Sequence, residues 1–412
     1  MSEKDDLDPR AWILAAGRFV SMIGSGFTAF YAPVFFVKVV HISATLVGIG
    51  LAANAVAGFM ARIVGGTISD SPRVGRRNTL VLASAILGVG SIVMGVVQDF
   101  SWFITGNIIL GLGVGLYWPA AEAMIADITT VANRRKAFAI NRVADSAGLG
   151  IGVVVAGLFI QMSGAYRTLF FIDAASYFVL TAVIFLAISE TKHVGTHSSS
   201  LWKSWLAAIK NPLLQLYVVA NILMTSYITQ ISSSLPLYFS DSVRTGTGQA
   251  SLSPWLLSSL FTIHVFVVAI SQMPMMKALS RFSAANSLII SCLLWLVGFV
   301  FIAACGFMTQ HQFLSAALGL IIMSIAVGAY QPPSAAIVAE LSPPDALAIY
   351  YSINSSCWAI GGMIGPPLVL GAMDKFPQHT PYIWVVMSLS TLIPATAFYI
   401  LERKLLKKNA LV

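Results

Sequence analysis

Charge is what this chain has least of. Only 10% of its 412 residues are Asp, Glu, Lys or Arg, against 57% hydrophobic, and the mean hydropathy is +0.83. Water-soluble domains carry roughly 25% charged residues, so a soluble fold is excluded. Cysteine is scarce as well. Cys292, Cys305 and Cys357 all fall in apolar runs without metal-like spacing, which leaves helix packing as their role. His193 and His197 stand four apart, but their Ser- and Gly-containing surroundings argue against a metal site. The chain also lacks His-Glu-x-x-His, Gly-x-x-x-x-Gly-Lys-Ser/Thr and any nucleophile with a positioned base. These absences count against a membrane enzyme and against a pump driven by its own ATP site, and no metal or cofactor is expected.

Long apolar runs are what the chain has instead. They recur at roughly 11–38, 44–68, 78–97, 102–126, 137–161 and 168–189, then at 212–239, 254–276, 284–306, 312–340, 346–372 and 380–401. Each can cross the roughly 30 Å hydrocarbon layer as a helix, whose backbone polar groups are satisfied within the segment. The runs are too long and too uniformly apolar for barrel strands. The expected fold is therefore an all-α polytopic membrane protein with twelve transmembrane helices in two pseudo-symmetric six-helix bundles. Residues 1–189 form the first bundle, 190–211 a linker, and 212–412 the second bundle with a basic tail.

The symmetry is visible in the sequence itself. Gly115-Leu116-Tyr117-Trp118-Pro119 opens a small-residue stretch ending at Asp127, and Gly328-Ala329-Tyr330-Gln331-Pro332 opens a similar one ending at Glu340. Downstream, Asp145 and Gly152 in the first copy match Asn354 and Gly361 in the second at one constant offset. Such a long-period repeat is what parallel-repeat transporters show.

The net charge of +8 is distributed by topology. Basic residues cluster in alternate loops: Arg73, Arg76 and Arg77; Arg134, Arg135 and Lys136; Lys192, Lys203 and Lys210; Lys277 and Arg281; and the tail from Arg403 to Lys408. The positive-inside rule then places both termini and the linker in the cytoplasm, in a plasma (inner) membrane, and no nucleic-acid partner is implied. Met1–Pro9 is polar and acidic, unlike a signal peptide. Trp202, Trp205, Leu206 and Ile209 give the linker an amphipathic stretch suited to the bilayer interface. Single-cysteine labelling from outside sealed cells should miss position Ser199 and reach Thr245; efficient labelling at Ser199 would invert the topology.

One loop between apolar runs reads Gly66-Thr67-Ile68-Ser69-Asp70-Ser71-Pro72-Arg73-Val74-Gly75-Arg76-Arg77. It resembles the signature loop of the Major Facilitator Superfamily, a Gly, three intervening residues and an Asp, then a basic turn ending Gly-Arg-Arg or Gly-Arg-Lys. Here four residues separate Asp70 from Gly75 where the family has two. With the twelve spans, the two related halves and the cytoplasmic bridge, the resemblance covers the whole chain, and within the superfamily it is most like bacterial drug–proton antiporters and efflux carriers. It implies alternating access, with two bundles rocking about a central site. It also implies a conformational latch of Gly66, Asp70, Arg73, Gly75, Arg76 and Arg77, with Asp127 and Arg134 as nearby partners. A plain positive-inside anchor is the other reading of the same loop.

Polar residues line faces of several apolar runs: Arg18, Ser21, Ser25 and Thr28; Asn54, Gly58 and Arg62; Asn107, Gly111, Gly115, Trp118 and Glu122; Asn141, Asp145, Gly148 and Gly152. Polar groups facing lipid are costly, so these faces are expected to border a hydrated cavity. Asp145 reads as a proton-accepting carboxylate with Arg18 as counter-ion, as in related antiporters, or as a partner of Arg142 one turn away on its own helix. Glu122 is the second coupling candidate. Asp173, early in the sixth span, reads as structural. The expected substrate contacts are Asn54, Asn107 and Trp118 in the first half, and Asn221, Thr225, Tyr330, Gln331, Asn354 and Trp358 in the second. A cavity charged on one side and aromatic on the other suits a cationic or amphipathic organic compound.

The resemblance makes a monomeric secondary transporter, exporting a small molecule in exchange for protons, the first expectation. Uptake or facilitated diffusion of a metabolite, lipid or lysolipid translocation, and a non-transporting sensor or channel are the alternatives.

Overall fold

The computed structural model describes residues 7–69, 74–129, 131–190, 206, 208–244, 252–343 and 347–409. The first half contains α1 (Pro9–Ala29), α2 (Ala32–Lys38), α3 (Ala44–Ser69), α4 (Gly75–Val96), α5 (Phe100–Asp127), α6 (Val131–Ser163) and α7 (Tyr166–Ala187). The second contains α8 (Pro212–Gln230), α9 (Ser234–Ser242), α10 (Pro254–Leu279), α11 (Ala284–Phe307), α12 (Gln312–Leu341), α13 (Leu347–Lys375), α14 (Thr380–Ser390) and α15 (Leu392–Asn409). Among the described residues, 12 helical spans are long and apolar enough to cross a membrane. Their outer surfaces are apolar, as at Met162 (87% exposed) and Leu186 (80%), while Arg18 and Asn221 are buried. That inversion suits a lipid solvent.

The two halves open alike. Pro9 and Pro212 each start a helix, where a missing N–H costs nothing, behind the side-chain caps Asp8 and Asn211. Hydrogen bonds from the Arg10 side chain hold the Asp8 carboxyl below the usual carboxylate range. This cap is therefore present above the ordinary Asp pKa and is lost only as pH falls through the lowered one.

Three apolar runs that read as uninterrupted are broken. The first divides at Phe30–Tyr31 ahead of Pro33, the seventh at Ile231–Ser233 ahead of Pro236, and the last at Thr391 ahead of Pro394. A proline cannot donate to the carbonyl four residues back, and its ring crowds that carbonyl. Proline alone does not dictate a break: α5 continues through Pro119 and α12 through Pro332–Pro333.

The chain divides into two compact units, Met1–Thr196 and His197–Val412. Within the first, α3 packs along α5, α1 along α6 and α7, and α4 along α5 and α7. Within the second, α10 packs along α12, α8 along α13 and α15, and α11 along α12, α14 and α15. The pairings correspond element by element, so the repeat read from the sequence extends to the packing of each unit. Of the linker, Leu206 and Lys210 are exposed and Ala208 is buried; Trp202, Lys203 and Trp205 lie outside the described residues.

Candidate transport site in the N-terminal unit

The glycines of α6 bring its backbone onto α1. A Cβ on Gly148 would stand 2.5 Å from the Phe19 carbonyl oxygen, and one on Gly152 would stand 2.9 Å from Gly26 Cα. Asp145 projects from the same seam and meets Arg18 in a two-pronged pair: Nε donates to Oδ1 at 2.9 Å, and Nη2 donates to Oδ2. The two side chains are 3% and 13% exposed. Two parallel charge-assisted bonds fix orientation as well as distance. Of the two partners the sequence allowed Asp145, the geometry brings Arg18. Arg142 instead lies 3.9 Å from Glu122, both well exposed.

Beside this pair is a small pocket lined by Arg18, Trp118, Glu122, Phe138, Asn141 and Arg142. The Arg18 guanidinium lies 4.9 Å from the Trp118 ring centroid and that of Arg142 5.7 Å, both in cation–π range. Glu122 is also within electrostatic reach of Arg18 and Arg62. Charged groups of both signs thus line one pocket around Trp118, whose ring meets two guanidinium groups.

The other polar faces also make contacts within the unit. Asn54 donates to the Asn107 carbonyl at 3.1 Å, and Asn107, itself buried, donates to the Phe103 carbonyl at 3.0 Å. Gly58 faces Gly111 along the same line, with 3.2 Å between a Cβ on Gly58 and the Gly111 carbonyl oxygen. Gly58 and Gly111 therefore meet in an α3–α5 seam, which the Asn54 amide bridges. Gly148 and Gly152 of α6 meet α1 in the same way. Small residues permit this close approach in lipid.

The latch residues divide. Gly66 falls in the last turns of α3; Asp70 and Arg73 lie outside the described residues, as does the side chain of Arg134. Gly75, at φ +77, opens α4 in a conformation that favours glycine. Arg76 pairs with Asp127 and donates to the Ala123 carbonyl at 3.1 Å, tying α4 to α5. The start of α4 is capped from across the unit by Glu190, which accepts from the Arg76 amide at 2.9 Å and the Arg77 amide at 3.2 Å. Arg77 lies over Phe185 at 4.9 Å. The sequence reading missed Glu190, because a cap contributed from the far end of α7 leaves no local spacing signal. Glu190→Gln should lower stability by about 0.5–1 kcal/mol, the scale of a surface carboxylate at a helix N-terminus. Thermal unfolding checks it, and an unchanged midpoint would make the contact incidental.

The second unit repeats the constellation without charge. Asn221 donates to Asn354 Oδ1 at 2.9 Å, where Tyr217 also donates at 2.6 Å, and Tyr330 donates to Asn221 Oδ1 at 2.6 Å. Asn221 and Asn354 sit on α8 and α13 as Arg18 and Asp145 sit on α1 and α6, and Tyr330 on α12 corresponds to Tyr117 on α5. Trp358 meets Tyr330 edge-on at 6.2 Å. Thr225, buried, donates to the Cys357 carbonyl at 2.8 Å in the α8–α13 seam. Gln331 is exposed and accepts from Gln272 at 3.2 Å.

Two repeated six-span units, one with a charged constellation inside it, define a polytopic membrane carrier. The sequence profile of the Major Facilitator Superfamily matches residues 14–258 and 245–411, and the chain belongs to that superfamily. It is 25% identical to the uncharacterized MFS-type transporter YqjV of Bacillus subtilis, over 98% of this chain and 97% of the relative. It is 24% identical to Multidrug resistance protein 2 of the same organism, over 90% of each. The crystal structure of the nucleoside transporter NupG superposes with a TM-score of 0.81 at 13% identity, covering 95% of this chain and 98% of that one, a likeness of fold. The protein is a multi-pass membrane transporter of small molecules, not an enzyme.

Proposed function

We propose that the protein exports a small organic or amphipathic compound in exchange for protons, by alternating access, as a monomer in the plasma membrane with both termini cytoplasmic. The observation that carries this reading is the Arg18–Asp145 pair at the edge of a pocket walled by Trp118. Similarity to Multidrug resistance protein 2 favours export of organic compounds.

In this reading Asp145 is the proton-exchanging carboxylate and Arg18 its counter-ion. A proton on Asp145 removes the ionic half of the pair and loosens the α1–α6 seam, while substrate competes for Trp118 and Glu122. The proposed substrate contacts are Asn54, Asn107 and Trp118 in the first unit and Asn221, Thr225, Tyr330, Gln331, Asn354 and Trp358 in the second. Asn221, Asn354 and Tyr330 share one hydrogen-bond network. Asp70 and Arg73, with the Arg76–Asp127 pair, form the latch, which sets the balance between access states.

Asp145→Asn tests the assignment. The amide keeps an oxygen for Arg18 but cannot titrate, and the second unit already has Asn354 at the corresponding place. The variant should fold and exchange substrate across vesicles, yet fail to concentrate it against a gradient. Proton-driven accumulation at the wild-type level would overturn the role of Asp145 and turn attention to Glu122.

A further inference from the structure

The N-terminal unit contains a second deeply buried carboxyl, which the pocket does not use. Asp173 on α7 is 4% exposed, on a helix packed against α1 and α4. The Ser91 hydroxyl of α4 donates to its Oδ2 at 2.8 Å, and Thr28 of α1 faces the same carboxyl. Its Oδ1 is buried with no hydrogen-bond partner among the described residues. The cations of the surrounding helices are engaged elsewhere: Arg10 with Asp8, Arg18 with Asp145, Arg76 with Asp127, and Arg77 with the Phe185 carbonyl. Arg167, on α7 itself, donates to the Gly95 carbonyl at 2.8 Å and lies over Phe35.

An ionised carboxylate in such a place has an oxygen without a donor and a charge without a counter-ion, and both are costly in a membrane interior. A bound proton removes the charge and turns one oxygen into a donor. Tyr177, one turn along α7, meets the Ser25 hydroxyl at 2.9 Å.

We propose that Asp173 is a second proton-binding site of the N-terminal unit. The proton leaves the Asp173 carboxyl with the bonding electrons remaining on oxygen. Binding and release move one proton between the carboxyl and solvent, and nothing is oxidised or reduced. Binding at Asp173 does not rest on the proton-coupled reading of Asp145.

Infrared difference spectra of the full-length protein in lipid nanodiscs, taken across a pH series, test this through the carbonyl stretch of a protonated carboxyl. One such band should vanish in Asp173→Asn, persist in Asp145→Asn, and shift in frequency in Ser91→Ala, which removes its hydrogen-bond donor. Spectra of Asp173→Asn that superimpose on wild type at every pH would overturn the site. If Asp173→Asn does not fold, Ser91→Ala decides, and an unshifted band overturns the site. A band that behaves as expected, in a protein whose Asp145→Asn variant still concentrates substrate, would retain the Asp173 site and reject the coupling role of Asp145.

Discussion

Asp145→Leu should destabilise the protein far more than Arg18→Met, although the two residues form one pair. The asymmetry follows from what each substitution leaves behind. Without Asp145, a guanidinium only 3% exposed remains, and it cannot shed its charge. The Trp118 face at 4.9 Å returns about 1 kcal/mol of that loss. Without Arg18, the remaining carboxyl is 13% exposed and can neutralise itself by binding a proton. Breaking a buried pair costs about 3–5 kcal/mol, and Asp145→Leu should fall in that range while Arg18→Met stays well below it. The double variant Arg18→Met/Asp145→Leu should recover most of the loss, because apolar replacements of a buried pair are often close to neutral. Equilibrium unfolding of the three variants in one detergent gives the cycle. Equal single penalties that add in the double variant would mean that the charges are not a desolvated unit. Asp145→Asn escapes the penalty in part, since its amide oxygen can still accept from Arg18.

Membrane solvent made the fold unusually legible. Twelve apolar runs separated by basic turns leave few alternatives to helices, and the Gly-x-Tyr-x-Pro repeat at Gly115 and Gly328 exposed the duplication that the helix pairings share. The Arg18–Asp145 pair was legible as a candidate because charges inside apolar runs are rare and seek each other. Spacing could not say what a polar face looks at. Asn54-Gly58 and Asn107-Gly111 have the periodicity of a polar face, and the structure adds that the glycines bring the two backbones together and the Asn54 side chain bridges them. Asp173 makes a related point. Its position along the seventh helix was visible, but the surroundings of its carboxyl are a property of three packed helices. The cap from Glu190 and the breaks ahead of Pro33, Pro236 and Pro394 also depend on chain that is distant in sequence or on a choice between tolerated alternatives.

Gly152→Leu should leave little folded protein, and its failure should carry the charged site with it. A Cβ at this position meets the Ile23 carbonyl and lies 2.9 Å from Gly26 Cα. Its obstacles are backbone atoms of α1, which cannot turn aside as a flexible side chain could. Overpacking a tight site costs about 1–3 kcal/mol; a whole isobutyl group against a backbone seam belongs at or above the top of that range. Relief requires α1 and α6 to separate, and the same separation draws Arg18 away from Asp145, two turns along the seam. Gly164→Ala provides the contrast. Gly164 has φ +64 and nothing within 4 Å of its Cβ position, so alanine there meets only the left-handed backbone penalty, about 1 kcal/mol. The yield of folded protein on size-exclusion chromatography, with thermal unfolding of what survives, separates the two cases. Gly152→Leu should lose most of the folded peak, and Gly164→Ala should keep it with a slightly lower midpoint. A Gly152→Leu protein that folds and melts like wild type would show that α1 and α6 do not meet backbone to backbone, and the two-pronged geometry of Arg18 on Asp145 could not then be as described.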